Sequence, residues 1–260
     1  MKTPVAYYGG KQSMLKEILP RIPEHKVYVE PFFGGGAVFF SKPQSEVEII
    51  NDINHNVVTF YRVLKYDFDA LQQKIDETFH SRKQHTIARE EYRQGLKEIK
   101  DPLVTAWAFW VQTTMSFGCQ IGSGFGYDKY GSCPLRIHNK KQNFTGEYQQ
   151  RMRKVTIECY DALKVIKAYD SPDAFFYIDP PYVSSVQGHY AGYKTEDFEA
   201  LLLACSKLKG KFLLSSYPEE ILKDYIERFG WKHEQFVKNL SVDGKKNQGK
   251  TKTECLTWNY

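Results

Sequence analysis

What the chain lacks first is any patterned cysteine. Its five, Cys119, Cys133, Cys159, Cys205 and Cys255, are scattered and odd in number. No two form a Cys-x-x-Cys pair, and neither they nor the dispersed histidines fall at metal-ligand spacing. That excludes a zinc-finger framework and a disulfide scaffold. A reduced cytosolic protein without a structural metal is expected. No apolar run approaches membrane-spanning length, so no membrane association is expected. The first residues, "MKTPVAYYGGKQS", lack the apolar region of a signal peptide. Internal repeats and low-complexity tracts are missing too. Neither charge sign dominates: Lys and Arg number 36 and Asp and Glu 31, a net +5. So mild a basic balance fits nucleic-acid binding, and fits solvated basic faces equally well.

What is present suits one large α/β domain, or one with a substantial insertion. Hydrophobic residues make up 42% of 260, enough for a sizeable core. Aromatics reach 15%, which serves a core and also planar ligands. Short apolar runs rich in β-branched and aromatic residues predict strands at 27–30, 47–51, 155–159, 175–179 and 212–215. Helical patterns at 11–19, 37–41, 55–65, 161–169, 195–208 and 219–229 separate most of them. Alternating strand and helix predicts a doubly wound, mostly parallel sheet of Rossmann-like type. Strands at 231–237 and 255–260 around a polar loop predict an antiparallel hairpin at its end. The alternation stops between 66 and 153. There 67–80, 87–100 and 102–117 read as helices, followed by a Gly-rich aromatic segment. The expected organisation is therefore a catalytic domain, 1–65 and 154–260, with 66–153 as a mainly helical insertion.

Two stretches carry chemistry. "VYVEPFFGGGAVFF" puts Gly34, Gly35 and Gly36 between a strand and a helix, where backbone can approach a ligand closely. Asp52 then ends the next strand, the position from which an acid accepts ribose hydroxyls. A tight strand–helix turn needs glycine anyway, so the cluster alone is a weak signal. The third glycine of a dinucleotide fingerprint is replaced by Phe39, so no pyrophosphate is expected. The second stretch is "AFFYIDPPYVSS", a buried strand stopped by Asp179-Pro180-Pro181-Tyr182. An acid followed by two prolines and an aromatic ring arises by chance in roughly a few per thousand chains of this length. The Asp179 carboxylate and the Pro180 carbonyl are adjacent acceptors, suited to an NH₂ group, and Tyr182 suits a planar heterocycle.

"YYGGK" at 7–11, "EPFFGGG" at 30–36, "NDIN" at 51–54 and "DPPY" at 179–182 occur in this order. In these motifs the chain resembles the Dam-type, D12 class of S-adenosylmethionine-dependent DNA adenine-N6 methyltransferases. The resemblance implies methyl transfer from S-adenosyl-L-methionine to the N6 amine of an adenine flipped out of duplex DNA. It implies cofactor contacts at Tyr7, Gly10, Lys11, Glu30, Phe32, Gly34, Gly36, Asp52 and Asp161, and also at Asp179. Asp161 is followed by Ala162 where the family usually has phenylalanine. Asp179, Pro180, Pro181 and Tyr182 match the catalytic tetrapeptide. The insertion becomes the expected DNA reader. Basic and amide side chains between 129 and 154 supply its candidates: Lys129, Arg136, Asn139, Lys140 and Lys141. The sequence pattern of GATC-reading members is absent there. A second group, Lys245, Lys246, Lys250 and Lys252, either touches DNA or extends into solvent. A cytosine-N4 methyltransferase, whose motif usually starts with serine, stays open as the close rival, and a non-catalytic DNA-binding module as a remoter one. A cytoplasmic, bacterial or phage-encoded enzyme is implied. Whether a cognate restriction endonuclease accompanies it, and whether it is a monomer or a weak dimer, the motifs leave open.

Overall fold

The computed structural model describes residues 1–183, 192–239 and 251–260. Ser184 and Ser185 at the end of the DPPY stretch, and Lys245, Lys246 and Lys250, lie outside the described residues. A 3-10 turn, Lys11–Met14, leads into α1, Leu15–Ile18, where one longer helix was expected. Strand β1, Val27–Glu30, is followed by α2, Ala37–Ser41, then β2, Val47–Asn51, and α3, His55–Tyr66. A run of helices comes next: α4, Phe68–Asp76; α5, Arg82–Gly95; α6, Pro102–Met115; α7, Ser132–Gln142; α8, Glu147–Met152. Alternation then resumes with β3, Val155–Glu158, α9, Ala162–Tyr169, β4, Ala174–Ile178, α10, Thr195–Cys205, β5, Lys211–Ser216, and α11, Glu220–Phe229. The chain closes with β6, Lys232–Asn239, and β7, Thr251–Trp258.

The strands form one seven-stranded sheet in the order β3-β2-β1-β4-β5-β7-β6. Pairing is parallel from β3 to β5, and antiparallel where β7 joins β5 and β6. The sheet is buried on both faces, so β4 reads as an unbroken apolar run. Its alternate side chains enter different cores. Phe175 and Tyr177 join a cluster with Tyr28, Phe60 and Trp110. Phe176 and Ile178 join one with Val165, Leu201 and Leu222. Among the described residues no helix is long and apolar enough to cross a membrane.

The inserted helices do not keep a core of their own. Helix α6 opens on an Asp101 cap with Pro102 behind it, and is buried on every side from Thr105 to Met115. Its Phe109 and Trp110 share one cluster with Tyr28 of β1, Phe33 of the following loop and Tyr61 of α3. Helix α8 is fastened to β2 by charge. Glu48, 2% exposed, takes Lys42 Nζ at 2.6 Å on Oε1 and a forked pair from Arg151 of α8.

Differences from the sequence expectations have local causes. Helix α5 begins about a turn and a half earlier than its apolar pattern, because Ser81 caps a fully polar first turn. Helix α7, inside the Gly-rich aromatic segment where no helix was expected, has Ile137 as its one buried residue and so carries no periodic signal. Its start is set instead by Asp128, whose carboxylate accepts the amides of Tyr130, Ser132 and Cys133. Strand β7 begins at Thr251, before its apolar residues, because ladder pairing with β6 continues to Asn239 beyond the core.

Replacing Glu48 by alanine would leave the buried Lys42 and the half-buried Arg151 without their shared carboxylate. Glu48→Ala is expected to lose about 3–5 kcal/mol of unfolding free energy in a urea titration. A loss under about 1 kcal/mol would show that the pairs add nothing to the anchoring of α8.

Candidate functional site

The site follows from one feature of the sheet. From β1 the chain winds outward to β2 and β3, then returns to the other side of β1 as β4. Parallel pairing sets Val27 opposite Ala174 and Val29 opposite Phe176. The strand order therefore reverses between β1 and β4, the place where ligands bind beyond the carboxyl ends in open α/β sheets. The glycine loop leaves β1 at that edge and the Asp-Pro-Pro-Tyr turn leaves β4 beside it. A cavity of about 1420 Å³ lies over both.

The glycine loop packs by close approach. Gly34 and Gly36 have positive φ, 48° and 64°. A Cβ on Gly35 would sit 2.6 Å from the Tyr7 Cβ, and one on Gly34 would meet the Tyr7 ring at 2.8 Å. The loop's amides are mostly committed internally. Phe33 N–H donates to Asn51 O, Gly34 N–H to Asp52 Oδ2 at 2.9 Å, and Gly36 N–H to Phe33 O. The other Asp52 oxygen takes the amide of Asn54, also at 2.9 Å. Three of the loop's amides are thus taken by acceptors of the protein itself, and α2 has only five residues. This loop offers shape and a buried acid rather than a phosphate cradle.

At the end of β4, Asp179 Oδ1 receives Lys11 Nζ at 2.9 Å and faces the Tyr182 hydroxyl at 3.2 Å. Its Oδ2 takes no hydrogen bond among the described residues. Lys11 also lies 4.8 Å from the centre of the Tyr182 ring, whose edge meets Tyr217 at 4.4 Å between centroids. Burial raises the Asp179 carboxyl above the ordinary carboxylate range, against the opposing pull of Lys11. Burial, with the Asp179 charge near it, pushes Glu30 up to about 8, although the Tyr28 hydroxyl donates to it at 2.7 Å.

Every cofactor-site residue picked out in the sequence lines this cavity. Tyr7, Gly10, Lys11 and Glu30 do so, as do Phe32, Gly34 and Gly36. So do Asp52, Asp161, Pro180, Pro181 and Tyr182, with Asp179. Asp161 also caps α9 by accepting the Lys164 amide, a structural duty that would fix an acid there without any ligand. Of the residues picked out in the insertion, Lys140 alone reaches the cavity. Burial lowers its pKa, with Lys2 and Arg136 adding repulsion. Arg136 donates to Thr114 O and Lys141 to Asp76 O, while Lys129 and Asn139 are exposed.

Sequence reading missed Glu254. It is buried on β7, and its Oε2 accepts the Tyr182 hydroxyl at 3.0 Å. Lys252 Nζ lies 2.6 Å from its other oxygen. The available signal was a single acid inside the apolar "TECLTW" strand, and no spacing connects it to residue 179.

The profile of the family described as D12 class N6 adenine-specific DNA methyltransferase matches residues 7–240. The DNA N-6-adenine-methyltransferase of Escherichia phage P1 is 27% identical across 91% of this chain, which spans 32% of that relative's length. The type II methyltransferase M.MjaIII of Methanocaldococcus jannaschii is 26% identical across 97% of this chain and 96% of its own. Among solved structures, a SAM dependent methyltransferase from Agrobacterium tumefaciens has 12% identity and a TM-score of 0.41, over 95% of this chain and 59% of its own.

The raised Glu30 pKa has a testable consequence for stability. The unfolded chain ionises this group near its ordinary value of 4.5, and the folded chain only at about 8. Between those values the folded state holds more protons, so the Glu30 contribution is full below pH 4.5 and is lost as pH rises to 8. Glu30→Gln should therefore gain stability relative to the parent as pH rises from 5 to 8. Urea titrations in which that difference stays flat with pH would contradict a neutral Glu30.

Proposed function

The chain belongs to the D12 class N6 adenine-specific DNA methyltransferase family, and on that premise we propose that it methylates the N6 amine of a flipped-out adenine in duplex DNA. The observation that carries this reading is the meeting of the glycine loop and Asp179–Tyr182 in one cavity at the strand-order reversal. The cavity exceeds what either ligand needs alone, so it suits a cofactor beside an extruded base. S-adenosyl-L-methionine fits the donor set: an adenosine without pyrophosphate matches a loop with few free amides, and Asp52 offers a carboxylate for its ribose. When bound it supplies a methyl group already activated on positive sulfur.

The residues then have distinct tasks. Tyr7 and the glycines shape the wall for the cofactor, and Asp52 both ties Gly34 in place and presents a carboxylate edge to the ribose. Asp179 and the Pro180 carbonyl accept the two N6–H bonds of the adenine. An adenine amine is a poor nucleophile because its lone pair is delocalised into the ring. Two acceptors favour a pyramidal nitrogen, return the lone pair to it, and stabilise the positive charge that grows during attack. Oδ2 of Asp179 is the oxygen suited to this, since Oδ1 is engaged by Lys11 and Tyr182. Holding amine and methyl in line supplies the rest of the rate. A base stacked in a duplex cannot reach this depth, so it is turned out, with Tyr182 against its face. The alkylated nitrogen afterwards loses its proton to water.

The inserted helices, 66–153, serve in this reading as the DNA-reading part. Lys140 at the cavity rim and the exposed Lys129 and Asn139 are its contacts to the strand. Arg136 and Lys141 contribute less, being tied to backbone carbonyls. In a bacterial or phage-infected cell, an enzyme acting on DNA in this way would work in the cytoplasm.

Asp179→Ala is expected to cut methyl incorporation into DNA by at least about 10²–10³ while cofactor affinity stays within a few-fold. Near-normal turnover by that variant would overturn the assignment. Asp52→Ala, by contrast, should weaken S-adenosylmethionine binding at least about tenfold in calorimetry, the size of a lost charge-assisted hydrogen bond. Unchanged affinity would remove the ribose role.

A further inference from the structure

The Asp179 carboxylate must accept hydrogen bonds from a neutral amine, yet its Oδ1 already faces two stronger donors. Lys11 Nζ is 2.9 Å away and the Tyr182 hydroxyl 3.2 Å. Both also answer to Glu254. The Tyr182 hydroxyl has one proton, and its oxygen lies slightly closer to Glu254 Oε2, at 3.0 Å, than to Asp179. The Lys11 charge lowers the pKa of both acids, although Glu254 has Lys252 as its closer cation. Glu254 comes from β7, far along the chain from the tetrapeptide, and its side chain is 4% exposed. A carboxylate buried to that degree is costly unless it is paired. Burial works against its charge, but Lys11 and Lys252 outweigh that and hold the carboxyl below its ordinary range. It is therefore an anion at neutral pH.

We propose that Glu254 is a positioning residue for methyl transfer: it draws the Tyr182 hydroxyl and part of the Lys11 charge to itself, so that Asp179 keeps acceptor capacity for the target amine. This rests on the methyltransferase reading above. Its charge matters, and not only its shape. A glutamine there could still accept the tyrosine proton, but it could not share the Lys11 ammonium. With the charge gone, Lys11 and Asp179 pair undividedly and the amine has to compete with an ammonium. The Tyr182 ring is also held by Lys11 over one face and by the edge contact to Tyr217.

The groups that face Asp179 come from several elements. Lys11 reaches it from the turn before α1, Tyr182 from its own turn, Tyr177 and Glu30 from β4 and β1, and Glu254 from β7. Among them Glu254 is the carboxylate whose repulsion acts directly to keep the Asp179 proton on. Its removal moves the ionisation of Asp179 to lower pH.

The test is steady-state methylation of duplex DNA across pH 5.5–9 by the whole chain, with cofactor affinity measured separately. Glu254→Gln should lose about 10- to 100-fold in kcat, leave S-adenosylmethionine affinity within twofold, and move the acid limb of the kcat profile to lower pH. Glu254→Asp should recover part of kcat. In a Tyr182→Phe background, where the contested hydroxyl is gone, Glu254→Gln should cost less than it does alone. A kcat within threefold of the parent with an unmoved acid limb would overturn the proposal. So would a loss tracked by weakened cofactor binding, which would make Glu254 a support of the cofactor wall. If Glu254→Gln fails to fold, Glu254→Asp carries the test: full activity with an unmoved limb overturns the role, and partial activity with a shifted limb sustains it. Failure of the underlying reading looks different, since Asp179→Ala would then remain active or the parent chain would transfer no methyl group.

Discussion

The carboxyl groups of Glu30, Asp52, Asp179 and Glu254 all line one cavity, and their mutual repulsion away from water is the constraint the site answers. Each is handled differently. Glu30 keeps its proton, helped by burial and by its proximity to Asp179. Asp52 gives both oxygens to backbone amides, so its charge is spread into the loop it holds. Asp179 leans on Lys11, and Glu254 on Lys252. The Tyr182 hydroxyl lies between the last two and belongs to both. Lysines also line this pocket, and Lys11 and Lys252 are already engaged by its carboxylates. With those cations paired and the glycine-loop amides bonded within the protein, it offers acceptors to an amine more readily than a cradle to a phosphate.

That arrangement depends on a frame that cannot shift by a residue. Parallel pairing of β1 with β4 sets the two loops side by side, and antiparallel pairing of β5 with β7 brings Glu254 up to them. The inserted helices belong to the same frame. Their central helix α6 is packed into the core on the side of Tyr28 and Tyr177, and the buried Glu48 cluster fastens α8 to β2. The inserted helices, proposed above to read DNA, are thereby packed as one body with the sheet. Lys140 reaches the cavity rim because α7 is held by that packing.

Much of the fold was legible because parallel strands buried on both faces leave short, dense apolar runs. The tetrapeptide after β4 was legible for the opposite reason: prolines and an acid at the end of such a run have no packing purpose. Helix α7 was not legible, because a helix with one buried side chain leaves no periodic trace. The start of α5 was hidden by a polar first turn. Asp161 could be marked, but its cap on α9 shows that an acid in the right place can have a second and sufficient structural reason.

The sequence by itself determined the strand–helix order, the loop glycines and the acids at the ends of β1, β2 and β4. These are local matters, set by burial pattern, backbone freedom and turn chemistry within a few residues. Only the tertiary structure decided which charges face one another. Lys11 and Asp179 are separated by most of the chain, and Glu254 meets Tyr182 from a strand that joins the sheet last. Electrostatic partnership depends on distance in space, and no period or spacing along the chain encodes it.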